Sequence, residues 1–219
     1  MEEEGIGNFT NETSRMKGFS DGIFGFAITL LVAELIGMLH PESDTGLLKL
    51  LLHHWQSFVA FIIGFVTILV CWVNHHVALE YIHKIDTKFM WINGLLLFLV
   101  TLTPFPTAIL ASYLESESKT AIAIFGFNYV LISIAADRIC TYAYNKRLIA
   151  EDKREFYYSY KLIYRYGIFY CLIAFIFCFI SINGALILYV ILFGASAMPK
   201  ELASMIYKFM MRRKSEQSL

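Results

Sequence analysis

Arg15-Met16-Lys17-Gly18-Phe19-Ser20-Asp21-Gly22-Ile23-Phe24-Gly25-Phe26-Ala27-Ile28-Thr29-Leu30-Leu31-Val32-Ala33-Glu34-Leu35-Ile36-Gly37-Met38 holds an apolar run of about the 20 residues that a helix needs to cross a bilayer. Comparable runs recur along the 219-residue chain, which is 58% hydrophobic and only 16% charged, against roughly 25% charged in an ordinary soluble domain. The bilayer therefore sets the architecture. Formal net charge is zero, which gives no global pull toward nucleic acid. The opening Met1-Glu2-Glu3-Glu4 is acidic where a secretory signal is basic, and no small-residue cleavage site follows the first run, so that helix is expected to be retained.

Working outward, the apolar runs predict spans at about 19–39, 55–74, 89–113, 120–139, 164–182 and 185–206. The expected fold is an all-α integral membrane protein of about six transmembrane helices, with residues 18–206 as one domain, 1–17 as a cytoplasmic N-terminus and 207–219 as a basic cytoplasmic tail. A polar, helix-breaking stretch at 40–44 closes the first span. Pro104 and Pro106 lack amide donors, so the third span is expected to bend near Thr103. Asn183-Gly184 reads as a turn dividing the last long apolar stretch into a hairpin. The tail mixes Lys208, Arg212, Arg213 and Lys214 with Met205, Ile206, Phe209 and Met210, equally compatible with an amphipathic segment on an anionic leaflet and a solvated tail.

Lysines and arginines orient such a chain because they favour the cytoplasmic side. With six spans and both termini inside, all but Lys49 and Lys119 of the 18 basic residues fall in cytoplasmic segments. The four cysteines, Cys71, Cys140, Cys171 and Cys178, form no C-x-x-C pair and read as reduced packing residues.

Ionisable groups inside a bilayer are costly, about 2.5–3.5 kcal/mol for a central charge on insertion scales, and so mark candidate functional positions. The first helix carries Asp21 and Glu34 together with Gly18 and Gly22, whose small-x-x-x-small spacing lets another backbone approach closely. Such a helix is expected to face protein or water instead of lipid. His75, His76 and His83 bring no thiol or convincing ligand cluster, so no metal site is expected. No phosphate-binding glycine loop, nucleophile elbow or His-Glu-x-x-His motif occurs, which argues against an enzyme and implies no cofactor.

The run Arg15, Phe19-Ser20-Asp21-Gly22, followed by Trp72-Val73-Asn74-His75-His76, Trp91-Ile92-Asn93 and Thr103-Pro104-Phe105-Pro106-Thr107, closely resembles the lysosomal potassium-channel family of the transmembrane-protein-175 type. The resemblance covers roughly the first half of the chain. It implies a potassium-permeable cation channel without the usual Thr-Val-Gly-Tyr-Gly filter, a homotetramer in a prokaryotic cytoplasmic membrane, with potassium and other monovalent cations, membrane lipid and copies of itself as partners. It also implies a pore lined by the first helix, with Phe26, Thr29, Leu30 and Ala33 on its lining stripe and a hydrophobic constriction near Phe26, where an aliphatic side chain is usual in the family. Arg15, Phe19, Ser20, Asp21, Trp72, His75, His76 and Asn93 are then read as the family motif and a supporting polar network, and Glu34 as an outer cation ring. An ion- or proton-coupled transporter, with Asp21, Glu34 and Asp137 as a relay, and a noncatalytic membrane scaffold are the alternatives.

Overall fold

The computed structural model describes the backbone of residues 2–38 and 46–217 and the side chains of 12–37, 46–213 and 216. The stretch at 40–44, expected to close the first span, lies outside the described residues, as do the last two residues of the tail. Among the described residues nine α-helices follow one another: α1 (Glu2–Met38), α2 (Leu47–His53), α3 (Trp55–Glu80), α4 (Thr87–Thr101), α5 (Pro104–Tyr113), α6 (Ser118–Asn145), α7 (Arg154–Ile180), α8 (Ile182–Ser196) and α9 (Pro199–Gln217). Among the described residues five stretches are long and apolar enough to cross a membrane, one being α4 and α5 together, or six if the bent pair α8–α9 counts as a span. Among the described residues the only bridge is an isolated antiparallel pair, Ile82–Ile149. The chain is an all-α, multi-pass membrane protein.

Apolar side chains form two packed regions along the bundle. One gathers Phe24, Ala27 and Leu31 of α1, Ile68 and Leu79 of α3, Phe89 and Val100 of α4, Ile139 of α6 and Tyr157 and Tyr160 of α7. The other joins Ala60 of α3, Leu110 of α5, Phe125 and Tyr129 of α6, Cys171 and Cys178 of α7, and Tyr189 of α8. All four cysteines are free.

Two breaks follow from local chemistry. Helix α4 stops where Pro104 would otherwise have to donate an amide proton; Leu102 and Thr103 make the step, and Asn128 Nδ2 donates to Thr103 Oγ1 at 3.2 Å from α6. The hairpin near Asn183-Gly184 turns slightly earlier, because Ser181 is extended and its hydroxyl caps α8 by accepting from the Gly184 amide at 3.2 Å. Gly184 is thus inside the first turn of α8, where a Cβ would stand 2.8 Å from Phe177. The stretch expected at 185–206 is two helices bent by 80°, because α8 ends at Ser196 and α9 starts at Pro199.

Gly64 sets how closely α3 approaches α5. A Cβ there would lie 2.8 Å from Thr107 Oγ1, 2.9 Å from Thr107 Cγ2 and 3.1 Å from Leu31 Cδ2, and Thr107 is held by its own bond to the Thr103 carbonyl at 2.8 Å. Gly64→Ala is therefore expected to destabilise the folded chain by about 1–3 kcal/mol, the usual range for overpacking, read as a lower thermal denaturation midpoint in detergent.

The segment before α4 is fastened to the end of α6. Asp86 caps α4 by accepting from the Phe89 amide at 2.7 Å, and its other oxygen accepts from the Tyr142 hydroxyl at 2.8 Å. Partial burial works against its charge, but those two bonds and nearby Lys146 outweigh it, holding the carboxyl below its ordinary value. A depressed folded value stabilises the protein above the unfolded value of about 3.9, and that contribution disappears as pH falls through the folded value. Asp86→Ala is expected to cost about 1–2 kcal/mol at neutral pH. Its stability difference from wild type should shrink as the medium is acidified below pH ~4, which denaturation midpoints at several pH values would measure.

Candidate functional site

Helix α1 is buried along one stripe: Met16, Ser20, Phe24, Ala27 and Leu31. The spacing of three to four residues is that of one helical face. That face packs on α3, α4 and α5. The opposite face carries Gly18, Phe19, Gly22, Gly25, Phe26, Thr29, Ala33 and Ile36, all exposed, and a Cβ at Gly18, Gly22 or Gly25 would meet nothing within 4 Å. The described part of this chain leaves that face uncovered.

Polar bonds hold the buried face in register. Asn93 Nδ2 on α4 donates to Ser20 Oγ at 3.0 Å, and Ser20 Oγ donates to the Met16 carbonyl at 2.9 Å. The Asn93 Oδ1 oxygen then faces His75 Nε2 on α3 at 2.7 Å, so Nε2 carries the proton and donates. A single hydrogen-bonded line thus joins α3, α4 and α1, and Phe24 packs on the His75 ring with centroids 5.3 Å apart. His75 Nδ1 is buried with no hydrogen-bond partner among the described residues.

A second link runs beside it on the exposed side. Trp72 Nε1 donates to Asp21 Oδ1 at 2.8 Å, and His76, one turn along α3, packs on Trp72 at 5.5 Å. His76 lies 3.9 Å from Glu80, which pairs with Lys200 of α9 at 2.8 Å. Ser20, Asp21, Trp72, His75 and Asn93 are therefore brought together, with His76 stacked at the margin. Arg15 and Phe19 are exposed and outside these bonds, Phe19 at 64%. Of the residues read as pore lining, Phe26 (57% exposed), Thr29 and Ala33 lie on the uncovered face, whereas Leu30 is half-buried at its flank. Thr29 turns its hydroxyl back to the Phe26 carbonyl at 2.7 Å. Glu34 is exposed, near Ser57 of α3 and Ala111 of α5.

Sequence reasoning did not foresee two features. Asp137, 3% exposed, receives Arg165 Nε at 3.0 Å and Nη2 at 3.4 Å, tying α6 to α7. An intramembrane carboxylate needs a partner, and Arg165 was the signal available. The Glu80–Lys200 pair joining α3 to α9 had no such signal, because both residues stand at helix ends that read as solvated. Among the described residues, no three His, Cys, Asp or Glu side chains converge as a metal site would require.

Residues 15–104, which contain the whole of this arrangement on α1, α3 and α4, match the family model described as Endosomal/lysosomal potassium channel TMEM175. A potassium channel of Chamaesiphon minutus is 41% identical over 177 residues, which span 78% of this chain and 87% of that one. The chain belongs to the TMEM175 family. A potassium channel of Streptomyces collinus is 36% identical over 125 residues, 57% of this TMEM175-family chain and 60% of its relative. The crystal structure of a lysosomal potassium-selective channel TMEM175 homolog from Chamaesiphon minutus superposes with a TM-score of 0.76 at 35% identity. It covers 87% of this chain and 98% of the homolog. The similarity thus extends into the second half of the TMEM175-family fold, beyond the first half that carries the sequence motifs.

Proposed function

We propose that this TMEM175-family chain is a potassium-permeable cation channel of the cytoplasmic membrane, assembled as a homotetramer around a conduction path lined by α1. One observation carries the reading: α1 is pinned on one face by Ser20, Asp21 and Phe24 and left bare on the other. The bare face presents glycines, Thr29 and Ala33 with Phe26 at its edge, which suits close packing of identical helices around a narrow, largely apolar path. Phe26 and Leu30 supply the hydrophobic constriction that gates by dewetting, and Thr29 offers oxygen to a partly dehydrated ion. Glu34 at the far end of α1 concentrates cations at the outer mouth. Both termini lie inside, following the distribution of lysine and arginine.

Mechanistically, Asp21 and Ser20 act as positioning groups. Each is engaged by a donor from a neighbouring helix, so their role is to fix the rotation of α1 and hence which side chains face the path. Two bacterial relatives are potassium channels, which supports potassium as the ion.

The decisive test is recording from purified protein in a planar bilayer under a potassium/sodium gradient. Unitary current steps reversing toward the potassium equilibrium potential are expected, with altered unitary conductance and selectivity in Phe26→Ala/Leu30→Ala. Flux that appears only with a proton gradient, or no flux at all, contradicts the proposal.

A further inference from the structure

Helix α8 has 15 residues, about 22 Å at 1.5 Å per residue, short of the roughly 30 Å hydrocarbon core of a bilayer. The chain then turns through 80° into α9. With α8 upright in the bilayer, that angle would lay α9 nearly along the plane of the membrane. One side of α9 is fastened to the bundle: Ala203 is fully buried, Tyr207 packs on Phe156 of α7 at 5.6 Å, and Lys200 pairs with Glu80 of α3.

The other side is bare and amphipathic. Met205 and Phe209 are 63% and 58% exposed, and their spacing of four residues puts them in one stripe, with exposed Met198 in the bend just before α9. Lys208 and Arg212 border the stripe on one flank, which they share with Glu201, and Arg213 lies on the other, all exposed; Arg212 is also engaged within the chain, and the Arg213 guanidinium stands 5.0 Å over the Phe209 ring. Apolar side chains flanked by long cationic ones are what an interfacial helix needs: the stripe enters the acyl boundary while the basic groups extend to headgroups. We infer that this face of α9 is a docking surface for the anionic lipid headgroups of one leaflet, and that it discriminates them from zwitterionic ones.

The test uses the full chain in vesicles of phosphatidylcholine with and without phosphatidylglycerol, carrying a spin label at Met205→Cys, with a label at buried Ala203→Cys as reference. With phosphatidylglycerol present, label 205 is expected to become more accessible to oxygen than to a water-soluble nickel chelate. In native mass spectra after mild delipidation, wild type is expected to retain phosphatidylglycerol at least severalfold over phosphatidylcholine. Lys208→Gln/Arg212→Gln/Arg213→Gln should lose that preference. Nickel accessibility at 205 unchanged by the lipid, or equal retention of the two lipids by wild type, overturns the inference. So does dipolar broadening between labels at 205, which would identify the face as a contact between subunits. The depth measurement does not depend on folding of the triple variant, and neither readout depends on ion conduction.

Discussion

Replacing Arg165 by methionine is expected to lower stability by about 3 kcal/mol, the low end of what removing one partner of a buried ion pair costs. Asp137 is 3% exposed and would be left as a carboxylate without its cation, able to accept only the weak 3.5 Å contact from Thr141. Arg165 itself is half exposed, so the loss lies in the stranded carboxylate instead of in the arginine's own burial. Asp137→Asn should be milder, because a neutral amide tolerates that site, and Asp137→Asn/Arg165→Met should recover much of the single Arg165→Met loss. Thermal denaturation in detergent measures all three. The same pairing gives Asp137 a structural role, as the anchor that a fork of guanidinium donors fastens between α6 and α7.

Asn93→Leu is expected to cost about 2–6 kcal/mol, the sum of two buried polar groups deprived of a partner at about 1–3 kcal/mol each. His75 Nε2 would lose its acceptor and Ser20 Oγ a donor. Substituting both interacting partners by apolar groups of similar shape is far less damaging than removing one, so His75→Phe/Asn93→Leu should be more stable than Asn93→Leu alone. Phe24, already packed on the His75 ring, is positioned to accept a phenyl ring there. If the double variant is the worse of the two, the polar line is not what holds α1 to α3 and α4.

The contrast between what was and was not readable is physical. Apolar runs of bilayer length announce helices whatever their partners, because the backbone has no alternative in hydrocarbon. The step at Leu102 and Thr103 was legible for the same reason, since proline removes a donor wherever it stands. Trp72, His75 and Asn93 were grouped with Ser20 and Asp21 by the family motif, which also included Arg15, Phe19 and His76; Arg15 and Phe19 stand outside the bonds. How those partners divide is tertiary information: Asn93 goes to Ser20 and Trp72 to Asp21, and spacing along the chain does not encode it. The angle between α8 and α9 was similarly hidden, because Pro199-Lys200-Glu201 marks a break without saying how far the chain turns there. Ser181 displaced the hairpin from Asn183-Gly184 because an N-cap hydroxyl competes with turn preference.

The half-buried position of Leu30 has a similar origin. Counting three and four residues from Phe26 puts Thr29, Leu30 and Ala33 on one stripe, but the face covered by α3, α4 and α5 begins at the Leu30 edge of that stripe. Thr29 and Ala33 sit nearer its centre. The constriction then depends on how far neighbouring copies rotate Leu30 toward the path.

Which face of α1 meets the ions is measured most directly by a single-cysteine scan from Gly18 to Ala33 in reconstituted protein, with potassium flux followed before and after a small thiol-reactive cation. The result expected is block at positions 22, 26, 29 and 33 and none at 20, 24, 27 and 31. Block confined to the second set, or to cysteines placed at Ile173 of α7 or Val190 of α8 instead of α1, would contradict a conduction path along the uncovered face of α1.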